Sequence, residues 1–220
     1  MDRVFIPDKR NEKVLVVLDM DSYSPTTIQR GYKLAKTFQG TLHVLFLKKD
    51  SNSTELNFVL AESKKLSLYF QADSYEIKLY RNEEDYYKIF IDIKDKLNIT
   101  QLVITHTGEN RLEEIVHGSF INFLIKNQPD LEIHIVPQNL AFPYKDWDYH
   151  IGRKAYINIE NNELSFDYSK NNIDGIYFKD KSTDFETGLF LSVKENEISV
   201  FKISNRKVIS KHIELYDQLD

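Results

Sequence analysis

The segment LVITHTGENRLEEIVHGSF, residues 102–120, joins a short apolar run to two glycine positions. The apolar run is typical of a buried strand, Gly108 follows as a turn, and Gly118-Ser119 comes after nine further residues at a predicted helix start. Glycine permits a close backbone approach to an anion, and the exposed N–H groups at a helix start favour negative charge. The segment therefore predicts a phosphate-binding turn, provided that the rest of the chain forms a nucleotide-binding sheet.

The chain around this segment alternates apolar runs with helical patterns. Residues 14–18 are apolar throughout, as expected of a strand that is buried on both faces. Strand, helix and strand in succession predict a right-handed parallel crossover. We therefore predict an α/β fold with an open, five-stranded parallel sheet. Its strands are expected at 14–18, 42–47, 75–80, 102–105 and 133–136, and its helices at 24–40, 54–70, 83–97 and 119–126.

The predicted strand ends indicate where a ligand would bind. Ligands of open α/β sheets bind beyond the carboxyl ends of the strands, where the strand order reverses. Asp19 and Gly108 each lie just past such an end. Two interpretations stay open for Asp19, which either contacts a ligand or caps the following helix. The glycines likewise either hold phosphate or permit a turn and a helix cap.

The pattern changes after residue 140. An aromatic connector, residues 142–147, leads to two alternating runs around Asn161-Asn162, which predict a β-hairpin. More short alternating runs follow, so we predict a small antiparallel β unit that packs on the first domain or on a second subunit. The predicted divisions are an N-terminal arm at 1–12, an α/β domain at 13–138, a linker at 139–151 and a β-rich domain at 152–220.

The composition excludes several classes of function. A net charge of −5 provides no general basic surface for nucleic acid. The absence of cysteine excludes disulfides, thiolate catalysis and cysteine metal sites, and fits a reducing compartment. No stretch approaches the roughly 18 apolar residues of a membrane span, and the N-terminus lacks the apolar core of a signal peptide. We expect a cytoplasmic protein without a membrane span or a nucleic-acid partner.

Residues 13–138 resemble the universal stress protein family, including the related domain of KdpD-type potassium-sensor kinases. Residues 14–19 resemble the family's first strand and its terminal aspartate. Residues 105–119 match its Gly-x2-Gly-x9-Gly-Ser/Thr motif except that Thr105 replaces the first glycine. The resemblance implies a parallel sheet of order 3-2-1-4-5, as in the adenine nucleotide α-hydrolase-like folds, and frequent homodimers. In one subclass it also implies ATP or another adenine nucleotide, bound without dedicated catalysis.

The resemblance also implies a set of nucleotide-binding positions. Asp19, the backbone near Met20, and Leu47 would contact the adenosine part, because a carboxylate can accept from a ribose hydroxyl or the adenine amino group. The other positions would surround the phosphates, to which a serine hydroxyl can donate. The full set is Asp19, Met20, Leu47, Thr105, Gly108, Gly118, Ser119 and Phe120.

The spacer between the glycines carries three acidic residues and one arginine, Arg111. These carboxylates would repel a triphosphate unless they point away or a divalent cation intervenes. The resemblance thus implies ATP or AMP as the ligand, with Mg²⁺ or Mn²⁺ as its companion.

Two alternatives to an adenine-nucleotide regulator remain. The first is an interaction or dimerisation module with a degenerate site, whose β-rich domain contacts a protein partner. The second is a cyclic di-AMP sensor, because Ser22-Tyr23-Ser24 resembles a Ser-x-Ser element of some KdpD-like domains that is associated with this ligand, although a plain helix N-cap is the favoured explanation of Ser24. The six histidines show no metal-ligand spacing, and neither a nucleophile elbow nor a Walker lysine is present. We therefore predict no catalytic or metal-binding residue, and a weak ATPase at most.

Overall fold

The computed structural model describes residues 12–49, 53–106, 120–194 and 197–214, with side chains described as far as residue 211. The first part of the chain is an open sheet of five parallel strands in the order β3-β2-β1-β4-β5. This confirms the predicted fold class and strand order. The strands are β1 (Lys13–Asp19), β2 (Thr41–Lys48), β3 (Ser74–Leu79), β4 (Gln101–His106) and β5 (Glu132–Pro137). The helices are α1 (Pro25–Phe38), α2 (Thr54–Tyr69), α3 (Glu83–Leu97) and α4 (Phe120–Asn127).

Strand β1 is buried on both faces, which explains its continuous apolar sequence. Val14, Val16 and Leu18 belong to the core on the side of α1 and α2. Leu15 and Val17 belong to the core on the side of α3 and α4. Because successive side chains of a strand point to opposite faces, the position of a residue in β1 determines which helix pair it meets.

The second part of the chain, residues 153–214, closes into a six-stranded antiparallel β-barrel. Strand order around it is β10-β11-β7-β6-β8-β9, and β10 also pairs with β9. The predicted antiparallel unit and the hairpin at Asn161-Asn162 are present, whereas the closure was not predicted. The strands are β6 (Arg153–Asn158), β7 (Glu163–Ser165), β8 (Asn172–Lys179), β9 (Gly188–Lys194), β10 (Glu197–Ser204) and β11 (Lys207–Glu214). Its interior is filled by Ala155, Ile157, Leu164, Tyr177, Phe190, Phe201 and Ile203.

In the structure the connector spans residues 138–152 and joins the two parts. Its aromatic side chains pack in a core that contains residues of both parts. It contains a short 3₁₀-helix, Tyr144–Asp146, followed by Trp147, which is 2% exposed. The Trp147 ring centre lies 6.3 Å from that of Tyr69 on α2 and 5.9 Å from that of Phe178 on β8. Helix α2 also contacts β8 and β9 directly. The barrel therefore packs against α2 of the same chain.

In the part of the chain that the structure describes, no helix combines the length and apolar character needed to cross a membrane.

Gly31 allows α1 to approach the sheet closely. An alanine Cβ at this position would lie 2.3 Å from Val16 Cγ2 and 3.1 Å from Leu42 Cδ1. Alanine is intrinsically better than glycine in a helix by about 1 kcal/mol, but Val16 is fully buried and has little room to move.

We therefore expect Gly31→Ala to lower the free energy of unfolding by about 1–3 kcal/mol, as overpacking does, measured by urea denaturation. Lys33→Ala, at an exposed position of the same helix, is the control and should change stability by less than about 0.5 kcal/mol. A Gly31→Ala variant as stable as the parent would contradict this account of the packing.

Candidate functional site

A cavity of about 600 Å³ opens at the carboxyl edge of the parallel sheet. Its walls come from the ends of β1 and β4, the segments that follow β2 and β3, and the first turns of α3 and α4. Strand order reverses between β1 and β4, so the cavity lies where ligands of open α/β sheets bind. The lining residues are Val17, Asp19, Asp21, Ser22, Lys49, Tyr80, Arg81, Asn82, Glu83, Tyr86, Tyr87, Ile104, Thr105, Phe120 and Ile121.

Strand register brings Asp19 to the cavity. Val17 pairs with Ile104 across the β1–β4 ladder, and both side chains belong to the core beside α3 and α4. Asp19 stands two residues after Val17, so it shares that face at the point where the strand ends. The sequence therefore places one carboxylate on the α3/α4 side of the sheet edge.

The carboxylate of Asp19 is partly buried and held by the loop that follows it. The backbone N–H of Ser22 donates to Asp19 Oδ1 at 2.7 Å. Burial raises the pKa of Asp19 above its ordinary value, and the hydrogen bonds from Ser22 only partly offset this. Asp19 does not cap α1, because its bond goes to Ser22, whereas Ser24 occupies the N-cap position. The helix-capping interpretation of this residue is therefore wrong, and its contact with a ligand stays a prediction.

Four aromatic rings form one wall of the cavity. The ring centre of Tyr86 lies 5.2 Å from that of Tyr80 and 5.1 Å from that of Phe120, both in edge-on contact. Tyr87 stacks on Phe120, with ring centres 5.6 Å apart and planes 6° apart. Such interlocked rings form a rigid apolar surface against which a planar base can pack.

The two tyrosines nearest Asp19 remain protonated at neutral pH. Burial, together with the charges of Asp19 and Asp21, raises the pKa of Tyr80 to about 12. Burial and the charge of Asp19 raise the pKa of Tyr86 well above its ordinary value. The cavity therefore carries phenol hydroxyls that can donate hydrogen bonds, next to a carboxylate that can accept them.

Phe120 is the one member of this wall that the sequence predicted as a site residue, and the three tyrosines were not predicted. Tyr80 fell within the predicted strand at 75–80, and Tyr86 and Tyr87 within the predicted helix at 83–97, so each had a local explanation. A usable signal was that these tyrosines cluster around the carboxyl end of β3, the kind of position that also singled out Asp19.

The charged residues among the described walls of the cavity do not favour an anion by themselves. Three carboxylates, those of Asp19, Asp21 and Glu83, face two cations, Lys49 and Arg81.

The start of helix α3 is also unfavourable for a phosphate. The side chain of Asn82 already accepts from the N–H of Asp85 at 2.9 Å, and the first turn of the helix is acidic throughout.

Thr105 borders the cavity with its side chain occupied on the opposite face of the sheet. Its hydroxyl is hydrogen-bonded to that of Thr27 on α1, and Thr105 is only 8% exposed. The β-branched side chain at the motif's first glycine position is therefore directed toward α1, away from the face that Asp19 shares with Val17.

The remaining predicted residues are distributed unevenly. Phe120 begins α4 and lines the cavity. Leu47 is fully buried in the core beneath the cavity, and Met20 packs against the core on the α1/α2 side, so neither is among the lining side chains. Gly108 and Gly118-Ser119 lie outside the described residues. Their phosphate-binding roles stay predictions, as do the ligand contacts of Leu47 and Met20.

Among the described residues, no group of three or more histidine, aspartate or glutamate side chains stands in position to hold a metal ion.

These features define an open α/β-sheet protein with a ligand-sized cavity at its strand-order reversal and a β-barrel extension. Searches with family models and against curated proteins find no match for the chain. A search of solved structures finds universal stress proteins, the family that the sequence resembles.

One similar structure is a universal stress protein in complex with cAMP, at 14% identity and a TM-score of 0.43, covering 59% of this chain and 98% of that one. A second is UspA from Lactobacillus plantarum, at 16% identity and a TM-score of 0.39, covering 58% and 98%. A third comes from Archaeoglobus fulgidus, at 12% identity and a TM-score of 0.35, covering 56% and 97%. At these identities the likeness concerns the fold, and the remainder of the chain is a β-rich extension.

The burial of Asp19 has a measurable consequence for stability. A raised carboxyl pKa means that the folded state binds the proton more tightly than the unfolded state. Stability is therefore lost as the pH rises from the unfolded value of about 3.8 through the raised folded value. At pH values above the folded pKa, the ionised and partly buried carboxylate lowers the free energy of unfolding by an amount that no longer changes with pH.

We expect Asp19→Asn to be more stable than the parent protein at pH 7, with a difference that shrinks as the pH is lowered towards 4. Urea denaturation at several pH values measures this. Asp95→Asn, at an exposed position on α3, controls for the loss of one negative charge. An Asp19→Asn variant that is less stable at pH 7 would show that the carboxylate is a structural requirement.

Proposed function

We propose that this chain is a regulatory protein of the universal-stress type that binds an adenine nucleotide, ATP or AMP, in the cavity at the sheet edge, without dedicated catalysis. One observation carries the proposal. A half-buried carboxylate, Asp19, stands beside a rigid aromatic wall in a cavity of about 600 Å³ at the reversal of strand order. Small-molecule sites are typically cavities of this size, largely apolar and with a few placed polar groups.

The arrangement assigns a role to each part of the ligand. The adenine ring would pack against the rings of Tyr80, Tyr86 and Phe120, where a planar base finds apolar contact. Asp19 would accept a hydrogen bond from a ribose hydroxyl or from the adenine amino group. Phosphates would extend toward Gly108 and Gly118-Ser119, as the sequence motif implies.

The charged residues around the cavity affect how strongly ligands with different numbers of phosphates bind. With three carboxylates against two cations at the described walls, each added phosphate charge is opposed. Mg²⁺ or Mn²⁺ carried by ATP would relieve this repulsion, whereas AMP has less need of it. Either nucleotide would act as a regulatory ligand.

Isothermal titration calorimetry tests the proposal with ATP, AMP, cyclic AMP and cyclic di-AMP, each with and without Mg²⁺ or Mn²⁺. We expect at least one adenine nucleotide to bind, and Asp19→Ala to weaken that binding by about tenfold or more, since a hydrogen bond to a charged group contributes about 1.5–3 kcal/mol. Asp95→Ala, which removes an exposed carboxylate outside the cavity, should bind as the parent does. Failure of all four ligands to bind would refute the proposal, and tighter binding of cyclic di-AMP alone would favour the dinucleotide sensor.

A second candidate function is that of an interaction module. It is favoured by large aromatic side chains on the barrel surface, with Tyr168 73% exposed and Phe185 66% exposed. In this alternative the barrel contacts a protein partner or a second copy of the chain, and the cavity is a remnant. Absence of nucleotide binding would favour it.

A further inference from the structure

Two segments that are distant in sequence meet at one buried carboxylate. Glu62 lies on α2 and is 3% exposed. The hydroxyl of Tyr23 donates to Glu62 Oε2 at 2.8 Å, and the hydroxyl of Tyr144 donates to Glu62 Oε1 at 2.8 Å. Tyr23 belongs to the β1–α1 loop, residues 20–24, and Tyr144 belongs to the connector. Each carboxylate oxygen thus holds one of the two segments.

These hydrogen bonds are important because the carboxylate of Glu62 is buried and has lost its hydration. Burial raises the pKa of Glu62, and the bonds from Tyr23 and Tyr144 act in the opposite direction by stabilising the charged form. A buried carboxylate that loses a donor keeps its desolvation cost, so both tyrosines are held firmly in place. A displacement of one tyrosine therefore changes the hydrogen bonding available to the other through their common acceptor.

The β1–α1 loop is also a wall of the ligand cavity. Asp21 and Ser22 line the cavity, and the N–H of Ser22 holds the carboxylate of Asp19. Tyr23 is the next residue along the chain and points the other way, to Glu62. The loop therefore faces the ligand site on one side and is fixed by α2 on the other.

The connector contacts the same loop at a second place and leads directly to the barrel. Gln138 Nε2 donates to the carbonyl oxygen of Asp21 at 3.0 Å. On the barrel side, the carbonyl oxygen of Tyr144 accepts from Lys181 Nζ. Trp147, three residues after Tyr144, is buried against Phe178 of β8. A continuous set of contacts thus runs from the cavity wall through Glu62 to the barrel.

We propose that Glu62 is a positioning residue for the ligand cavity, which couples ligand occupancy to the packing of the connector and its barrel through Tyr23 and Tyr144. The inference rests on the proposed function for the identity of the ligand, but the coupling itself is a property of the chain. By reciprocity, if the bound ligand tightens the connector, then loosening the connector weakens ligand binding by the same factor. The packing of the barrel would then change when the ligand binds.

The matched variants are Tyr144→Phe, which removes the connector's bond to Glu62, and Tyr75→Phe as the control. The Tyr75 hydroxyl also meets α2, where it is hydrogen-bonded to Ser63 Oγ at 2.8 Å and not to Glu62. Each variant loses one tyrosine hydroxyl that is hydrogen-bonded to α2, so a general loss of stability affects both alike.

The first measurement needs no ligand. Hydrogen–deuterium exchange of the full chain should be faster at residues 19–24 in Tyr144→Phe than in the parent, although the substitution lies in the connector. Tyr75→Phe should change exchange at 19–24 less than Tyr144→Phe does, because it keeps both hydrogen bonds to Glu62. Equal exchange at 19–24 in the parent and in Tyr144→Phe, or the same increase in both variants, would overturn the coupling whether or not any ligand binds.

The second measurement uses AMP and the single tryptophan of the chain, Trp147, which lies in the connector. AMP binding should change the emission of Trp147 in the parent and in Tyr75→Phe. In Tyr144→Phe we expect calorimetry to show AMP affinity about fivefold weaker and the emission change to be lost, since allosteric couplings are typically fivefold or more. Calorimetric binding with the emission change and affinity retained in Tyr144→Phe would overturn the proposal. If AMP does not bind at all, the proposed ligand is wrong and the exchange experiment alone decides the coupling.

Discussion

The architecture depends on the burial of helix α2 between two layers, the parallel sheet on one side and the β-barrel on the other. A helix at the surface of an α/β protein normally keeps one face in water. In α2 even polar side chains are buried, namely Glu62, Ser63, Lys64, Lys65 and Ser67. Each must then find a partner inside the protein, because an unpaired buried charge or hydroxyl costs more than most single contacts contribute.

The partners of α2 are largely tyrosines, and they come from the α/β part of the chain and from the connector. Glu62 accepts from Tyr23 and Tyr144, and the ammonium group of Lys65 lies 3.6 Å from the centre of the Tyr149 ring. Burial lowers the pKa of Lys65 to about 8 in spite of the opposing charges of Asp148 and Asp180. Tyrosine suits this interface for two reasons. Its ring fills apolar space, and either its hydroxyl group or the face of its ring can interact with a buried charge. The barrel is thus joined to the sheet by specific polar contacts as well as by apolar area.

The position of the cavity also follows from the parallel sheet. Parallel strands end together, so the last side chain of β1 meets the first turns of α3 and α4 in a space that the helices do not fill. Asp19 remains there partly desolvated, with a raised pKa, at a cost to stability. Ionisable groups whose pKa is shifted by burial are common at functional sites. The aromatic wall surrounds this carboxylate with apolar surface and strengthens any hydrogen bond that it accepts.

Local patterns were enough to predict the five parallel strands and the position of Asp19 at a strand end, because strand period and the positions of glycine and proline are properties of neighbouring residues. The same holds for the hairpin at Asn161-Asn162, whereas the strand order was predicted from the family resemblance. The three tyrosines of the aromatic wall, the burial of Glu62 and Lys65, and the closure of the barrel escaped prediction, because each depends on residues far apart in sequence. Tyr23 and Tyr144 become partners only when Glu62 is buried between them, and β11 pairs with β7 only at Lys207 and Glu163. Periodicity specifies which face of an element is apolar, whereas three-dimensional packing selects what that face meets.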